Sequence, residues 1–116
     1  MKRKLQQKVR ESDVVKSVLE WLQWQGVFCW RNNSGNSFIQ DKYGNTRMIK
    51  FGIAGSPDIL CCLKGGLFCG LEAKGSGGQL TPDQLAFAKK VRDNGGIYLM
   101  VRSLNDCEEQ LAKYLL

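Results

Sequence analysis

Two apolar runs joined by a short glycine-containing turn constrain this 116-residue chain more than any other feature. The runs cover residues 58–63 and 67–74, which is the usual length of a β-strand. Within each run, apolar side chains occupy both the odd and the even positions, which is typical of central strands that are covered on both faces. The sequence therefore predicts an antiparallel hairpin in the middle of a sheet.

Charged residues at the open end of this hairpin set its register. Asp58 begins the first run, whereas Glu72 and Lys74 close the second and, being two residues apart, share one face of a strand. Directly opposed residues of an antiparallel pair also point the same way. A three-residue turn, 64–66, places Asp58 opposite Glu72, while a two-residue turn would send them to opposite faces. Because Gly66 can supply the left-handed residue that a three-residue loop needs, we predict this turn.

Burying these charges in a sheet is costly unless a partner compensates them. A divalent cation that bridges the two carboxylates is a natural compensator, and an Asp…Glu-x-Lys arrangement is typical of metal-dependent phosphodiesterases. The chain contains no histidine, which excludes the Ser-His-Asp triad, histidine-metal nucleases and zincins. A nuclease is therefore the leading hypothesis.

Charge is unevenly distributed along the chain. Five of the 17 lysines and arginines precede the first acid, so twelve bases face eleven acids in the remainder and the net charge is +6. We predict a basic N-terminal arm, residues 1–10, and one domain, residues 11–116. The arm suits a polyanion such as nucleic acid, with a solubilising tail as the alternative.

Neither a membrane segment nor an export signal is recognisable. No apolar run approaches the roughly 20 residues of a membrane span, and the basic start lacks the apolar region of a signal peptide. The five cysteines are odd in number and form no C-x-x-C pair, which indicates small buried hydrophobes in a reducing compartment. We therefore expect a cytoplasmic protein without membrane contact.

Periodicity and turn signals predict the order α-β-β-β-β-β-α-β-α, which is an α/β fold with a mixed sheet flanked by helices. Outside the central hairpin, the predicted helices are 11–25, 81–94 and 105–116, and the predicted strands are 27–32, 37–40, 46–50 and 97–102.

Two further polar residues are candidates for the site. Glu11 falls on the apolar stripe of the first helix with Val14 and Val18, although a first turn facing solvent is the alternative. Gln84 lies three residues after Thr81, so it either completes a capping box or lines the site. Trp24 lies off the stripe and is a candidate for partner contact.

Several polar and basic residues are candidates for phosphate contact. Arg31 and Asn33 follow the first strand, with a turn role as the alternative for Asn33. A second hairpin, built around residues 41–45, carries Lys42, Arg47 and Lys50 and would present positive charge to a nucleic-acid backbone.

With these residues in view, the chain resembles a stand-alone VRR-NUC nuclease, a branch of the PD-(D/E)xK restriction-endonuclease-like superfamily. The resemblance spans nearly the whole chain. Its motifs are Glu11, Trp30-Arg31-Asn32-Asn33, Gly55-Ser56-Pro57-Asp58, Glu72-Ala73-Lys74, Gln84 and Val101-Arg102-Ser103. It implies a restriction-endonuclease-like arrangement of the mixed sheet.

The resemblance also implies roles for individual residues. Asp58 and Glu72 would bind Mg²⁺ or Mn²⁺, with the Ala73 carbonyl as a third ligand and Glu11 at the edge of the metal site. Lys74 would orient or activate the attacking water, and Gln84 would line the site.

The implied activity is structure-specific cleavage of DNA, with branched DNA and four-way (Holliday) junctions as the sharpest candidates. Homodimers are implied as well, since a two-fold junction needs paired active sites. Compact stand-alone chains of this kind suit a phage or a mobile element. Alternatives are a non-catalytic nucleic-acid-binding module and a subunit of a larger nuclease assembly.

Overall fold

The computed structural model describes residues 9–33 and 35–115. Within them lie a four-stranded sheet, a separate two-stranded ribbon and three α-helices, which confirms a mixed α/β fold flanked by helices. The helices are α1 (Glu11–Trp24), α2 (Pro82–Asp93) and α3 (Leu104–Leu111). The strands are β1 (Phe28–Arg31), β2 (Gly35–Gln40), β3 (Thr46–Phe51), β4 (Ile59–Leu63), β5 (Leu67–Ala73) and β6 (Ile97–Val101).

The main sheet has the order β1-β4-β5-β6, so the two strands of the predicted hairpin are central. Strands β1, β4 and β5 pair antiparallel, whereas β6 is parallel to β5. A parallel neighbour needs a crossover, and α2 provides it. Strands β2 and β3 pair only with each other among the described residues and form the ribbon.

The predicted register of the central hairpin is confirmed. Leu63 lies opposite Leu67, and the three residues Lys64–Gly66 form the turn between them. Gly66 has a φ of 73°, as a three-residue loop requires, and Gly65 is also left-handed, with a φ of 80°. Extending this register by one residue places Asp58 opposite Glu72.

Helices α1 and α3 cover one face of the sheet and enclose the main core. Val14, Val18 and Leu22 of α1 are buried as predicted, whereas Trp24 is 88% exposed. The remaining core side chains come from α1, β4, β5, β6 and α3: Val15, Ile59, Cys61, Leu63, Cys69, Leu71, Ala73, Val101, Cys107 and Leu111. The core thus anchors both strands that carry the charged residues.

The opposite face of the sheet is only partly covered. Helix α2 packs beside β6, where Phe87 lies 6.0 Å from Tyr98 between ring centroids. Phe68 of β5 and Cys62 of β4 remain exposed. The prediction that both faces of the hairpin are covered is therefore wrong, as is the prediction that Cys62 is buried, because α2 reaches only one side of this face.

The ends of the chain differ from the sequence prediction. Helix α3 stops at Leu111 and continues as a 3₁₀ turn, Ala112–Tyr114. Of the predicted arm, residues 1–8 lie outside the described residues, while Val9 already contacts the domain through Ser76. Across the described residues, no helix has the length and apolar character needed to cross a membrane.

Candidate metal centre

Three carboxylates from three elements meet at one end of the sheet. Glu11 begins α1, Asp58 precedes β4 and Glu72 lies near the end of β5, yet each offers an oxygen within 4.8 Å of the other two. Such an assembly brings negative charges together and leaves each with a repulsive neighbour. A cation that accepts oxygen ligands would relieve this repulsion.

Glu72 is the most constrained of the three. It is 3% exposed, and its Oε1 atom accepts a 2.9 Å hydrogen bond from Gln84 Nε2 and lies 3.8 Å from Lys74 Nζ. Its Oε2 atom is buried and has no hydrogen-bond partner among the residues that the structure describes. Burial, reinforced by the nearby Asp58 charge, raises the pKa of Glu72 to about 8 even though Lys74 acts to lower it. An unsatisfied buried carboxylate oxygen of this kind is expected where an ion completes the site.

The Asp58 carboxylate is held by the backbone of the neighbouring strand. The Ala73 N–H donates a 2.8 Å hydrogen bond to Asp58 Oδ2, and the Asn32 N–H donates to the Asp58 carbonyl at 2.7 Å. The first bond holds the carboxylate beside β5, and the second holds the Asp58 backbone beside the residue that follows β1. The position of Asp58 is thus set before any ligand arrives.

Backbone direction places the Ala73 carbonyl on the side of β5 that faces Asp58. The Lys74 N–H donates to the Val101 carbonyl in β6, so the backbone N–H and C=O of Lys74 point towards β6. The backbone groups of successive strand residues point to opposite sides, so the N–H and C=O of Ala73 point towards β4. The Ala73 methyl is buried in the core, on the opposite face from Glu72.

A tightly seated loop carries Asp58 into position. Pro57 lies over Gly70, where an added Cβ would approach the Pro57 Cγ atom to 2.6 Å. The Asn32 side chain donates to Ser56 Oγ at 2.9 Å and to the Pro57 carbonyl at 3.0 Å. Sequence reasoning missed both Gly70 and Asn32 as positioning residues. A glycine inside an apolar strand is the signal that could have identified Gly70.

A second close approach brings α1 to the site. Val9 and Ser76 exchange hydrogen bonds, and a Cβ on Gly75 would lie 2.5 Å from the Val9 carbonyl. Arg102 Nη1 donates to the Gly75 carbonyl at 3.2 Å. The loop that follows Lys74 therefore fixes the start of α1. Glu11 is exposed, as the solvent-facing alternative required, yet its carboxylate reaches the other two acids.

Gln84 fills both of the roles that its sequence position allows. Its backbone N–H donates to Thr81 Oγ1 at 3.2 Å and its Oε1 accepts from the Thr81 N–H at 2.9 Å, which completes the capping box of α2. Its Nε2 meanwhile donates to Glu72. Because the amide has separate donor and acceptor ends, the cap and the site contact coexist.

The candidate phosphate contacts on the ribbon do not form one surface. Lys42, Arg47 and Lys50 are all exposed. Arg47 and Lys50 are three residues apart on β3, so they point to opposite faces of the ribbon. Lys42 lies in the turn, with Nζ 5.2 Å from the centre of the Tyr43 ring. The ribbon therefore carries positive charge on both faces.

The two candidates at the end of β1 also lie apart from the carboxylates. Arg31 is opposite Ile59, whose side chain enters the core, so the alternation of the strand directs Arg31 away from the face of Asp58 and Glu72. Asn33 is exposed just beyond the end of β1.

Comparisons with protein-family models, curated proteins and solved structures give no significant match.

Proposed function

We propose that this protein is a metal-dependent endodeoxyribonuclease of the VRR-NUC type, with a restriction-endonuclease-like arrangement of its sheet. The observation that carries the proposal is the buried Oε2 atom of Glu72, which has no hydrogen-bond partner within residues 9–33 and 35–115. Glu72 lies close to two other carboxylates and beside a lysine. A structural role alone gives no reason to bury a carboxylate without a partner for one of its oxygens.

The donor set suits a hard divalent cation. Carboxylate oxygens and a backbone carbonyl are the ligands that Mg²⁺ and Mn²⁺ take in proteins, with waters in the remaining positions. Asp58, Glu72 and the Ala73 carbonyl would hold the ion, and Glu11 lies at the edge. When bound, Mg²⁺ or Mn²⁺ supplies Lewis acidity, which polarises a phosphoryl oxygen and lowers the pKa of a water.

The protein side chains supply orientation and charge. Lys74 holds its ammonium beside Glu72, where it can orient a water and stabilise the negative charge that develops on the phosphoryl group. Gln84 and the Ala73 N–H fix the carboxylates of Glu72 and Asp58. In the reaction, water adds to phosphorus, the bond to one sugar oxygen breaks, and that oxygen takes up a proton.

We further propose that the substrate is branched DNA, with four-way junctions as the first candidate, and that two copies of the chain act on one junction. The net charge of +6 favours a polyanion. The exposed Trp24 on α1 marks the proposed contact between copies. Light scattering should give twice the chain mass, and Trp24→Ala should reduce it to one chain mass. A monomer both free and on junction DNA would disprove the dimer.

A cleavage assay tests the catalytic proposal. Labelled duplex, flap, splayed and four-way substrates are incubated with Mg²⁺ or Mn²⁺, with EDTA as the metal-free control. Asp58→Asn and Glu72→Gln should abolish incision while preserving DNA binding. Glu11→Gln should weaken Mn²⁺ binding measured by calorimetry, whereas Glu20→Gln on the same helix serves as a matched control. DNA binding without incision of any substrate would instead favour a non-catalytic binding module.

A further inference from the structure

An aromatic surface lies beside the candidate metal centre on the same face of the sheet. Trp30 pairs with Leu60, and Phe28 pairs with Cys62, which is itself opposite Phe68. On β4 and β5, Leu60, Cys62 and Phe68 stand an even number of residues from Asp58 or Glu72, so their side chains point to the same face as those two carboxylates. Phe28 and Trp30 share this face because they lie directly opposite Cys62 and Leu60. We call these five residues the aromatic face.

The aromatic face is open to solvent. Phe28 is 69% exposed, Trp30 is 46% exposed and Phe68 is 40% exposed. The rings of Phe28 and Trp30 meet edge to face, with centroids 5.4 Å apart and an interplanar angle of 86°. Large aromatic side chains usually bury most of their area, so their exposure in one patch indicates a binding surface.

The distance from this surface to the carboxylates is short and regular. Trp30 lies opposite Leu60, which is two residues, or about 7 Å, along the strand from Asp58. Phe28 lies two residues further, opposite Cys62. A ligand that occupies the metal centre through a phosphate can therefore reach Trp30 with its next chemical group.

Positive charge borders the aromatic face on two sides. Lys64 lines a cavity of about 280 Å³ together with Phe28 and Cys62. Lys90 lines a second cavity, of about 590 Å³, together with Phe68 and Phe87, although Asp83 also contributes to its wall. Among the described residues, neither lysine forms a salt bridge. Aromatic rings flanked by free cations complement a chain of bases and phosphates.

We propose that the aromatic face stacks unpaired nucleobases of the DNA strand whose phosphate enters the metal centre, and this inference rests on the proposed nuclease function. Paired bases keep their faces inside the duplex, so only an unpaired base can offer its π-surface to Trp30 or Phe28. The preferred substrate is accordingly DNA with a single-stranded stretch next to the incised phosphate, as at a flap or an opened junction.

The test compares DNA affinities in EDTA, where no cleavage occurs. Trp30→Ala should weaken binding of single-stranded and flap oligonucleotides by about 5- to 150-fold, which is the effect of removing one stacked base. Blunt duplex binding should change little. Trp30→Phe should recover much of the affinity, because a smaller aromatic ring can still stack on a base. Circular dichroism establishes that each variant is folded.

Abasic substitutions locate the contact. In the unaltered protein, one abasic nucleotide near the incised phosphate should weaken binding, and the same substitution should have little further effect with Trp30→Ala. Equal losses for duplex and single strands, or no loss at all, would overturn the inference. A fall in chain mass with Trp30→Ala, with DNA affinity unchanged, would also overturn it and assign the face to contact between copies. Incision that depends on Asp58 but not on Trp30 would disprove only the stacking inference. Stacking of unpaired bases without any incision would disprove only the proposed nuclease activity.

Discussion

Replacing Glu72 with glutamine should alter how the stability of the metal-free protein depends on pH. The substitution keeps the shape of the side chain and an oxygen that can accept from Gln84, but removes its ability to ionise. Burial and the Asp58 charge raise the pKa of Glu72 from 4.5 to about 8 in the folded chain. Between these two pH values the unfolded chain has lost this proton and the folded chain retains it.

The sign follows from proton linkage. Because the folded state binds more protons at Glu72 than the unfolded state does, its free energy of unfolding falls as pH rises through this window. The fall is at most about 1.4 kcal/mol for each pH unit. From about pH 6 to about pH 8, the unaltered protein should therefore lose up to roughly 3 kcal/mol that Glu72→Gln does not lose. This corresponds to a relative change in Tm of about 10 °C.

Urea unfolding followed by tryptophan fluorescence, in EDTA, measures the difference between the two proteins at each pH. The other titrating groups are common to both and largely cancel. Glu20→Gln, an exposed carboxylate on α1, should run parallel to the unaltered protein. Excess Mg²⁺ should stabilise the unaltered protein most at the high end of the window, because the cation favours ionised Glu72, and should leave Glu72→Gln unchanged. Parallel curves for Glu72→Gln and the unaltered protein would refute the reasoning.

Three other predictions concern the loop at the site and the N-terminal arm. Gly70→Ala should destabilise the fold by about 1–3 kcal/mol in urea unfolding and weaken Mn²⁺ binding, because its Cβ would displace Pro57; unchanged Mn²⁺ affinity would contradict this. Asn32→Ala should cost about 1–3 kcal/mol by removing two partly buried hydrogen bonds and should slow incision, whereas Asn33→Ala should do neither. Deleting residues 2–8 removes four positive charges. The slope of log K for DNA binding against log salt concentration should then fall by up to about 0.9 for each phosphate that the arm no longer neutralises. An unchanged slope would show that the arm does not bind DNA.

Local patterns in the sequence were sufficient for the elements and for the central register. Because side chains alternate between the two faces of a strand, only the three-residue turn places Asp58 and Glu72 on one face, and the structure has the pairing that this turn gives. The capping box at Thr81 was equally readable, since both partners lie within one helical turn. These features depend on neighbours in sequence or on a single short turn.

The open face of the sheet was not predictable in the same way. Cys62 and Phe68 lie in strands that read as fully covered, and only the placement of α2 beside β6 leaves them exposed. Trp30 was recognised as part of a motif, but its exposure beside the carboxylates follows from the pairing of β1 with β4. The sequence did not indicate that Asn32 positions the loop before Asp58, because its hydrogen-bond partners, Ser56 and Pro57, are more than 20 residues away along the chain.

The sequence by itself determined which charged residues end the central strands and which face they share, because strand alternation and turn length are local properties of the chain. Tertiary structure alone decided how those charges behave. Glu11 reaches the other two acids because Gly75 lets the start of α1 approach the end of β5 closely, and the burial of Glu72 against Gln84 and Lys74 raises its pKa. Desolvation depends on every group that surrounds a side chain, and those groups come from elements far apart in the sequence.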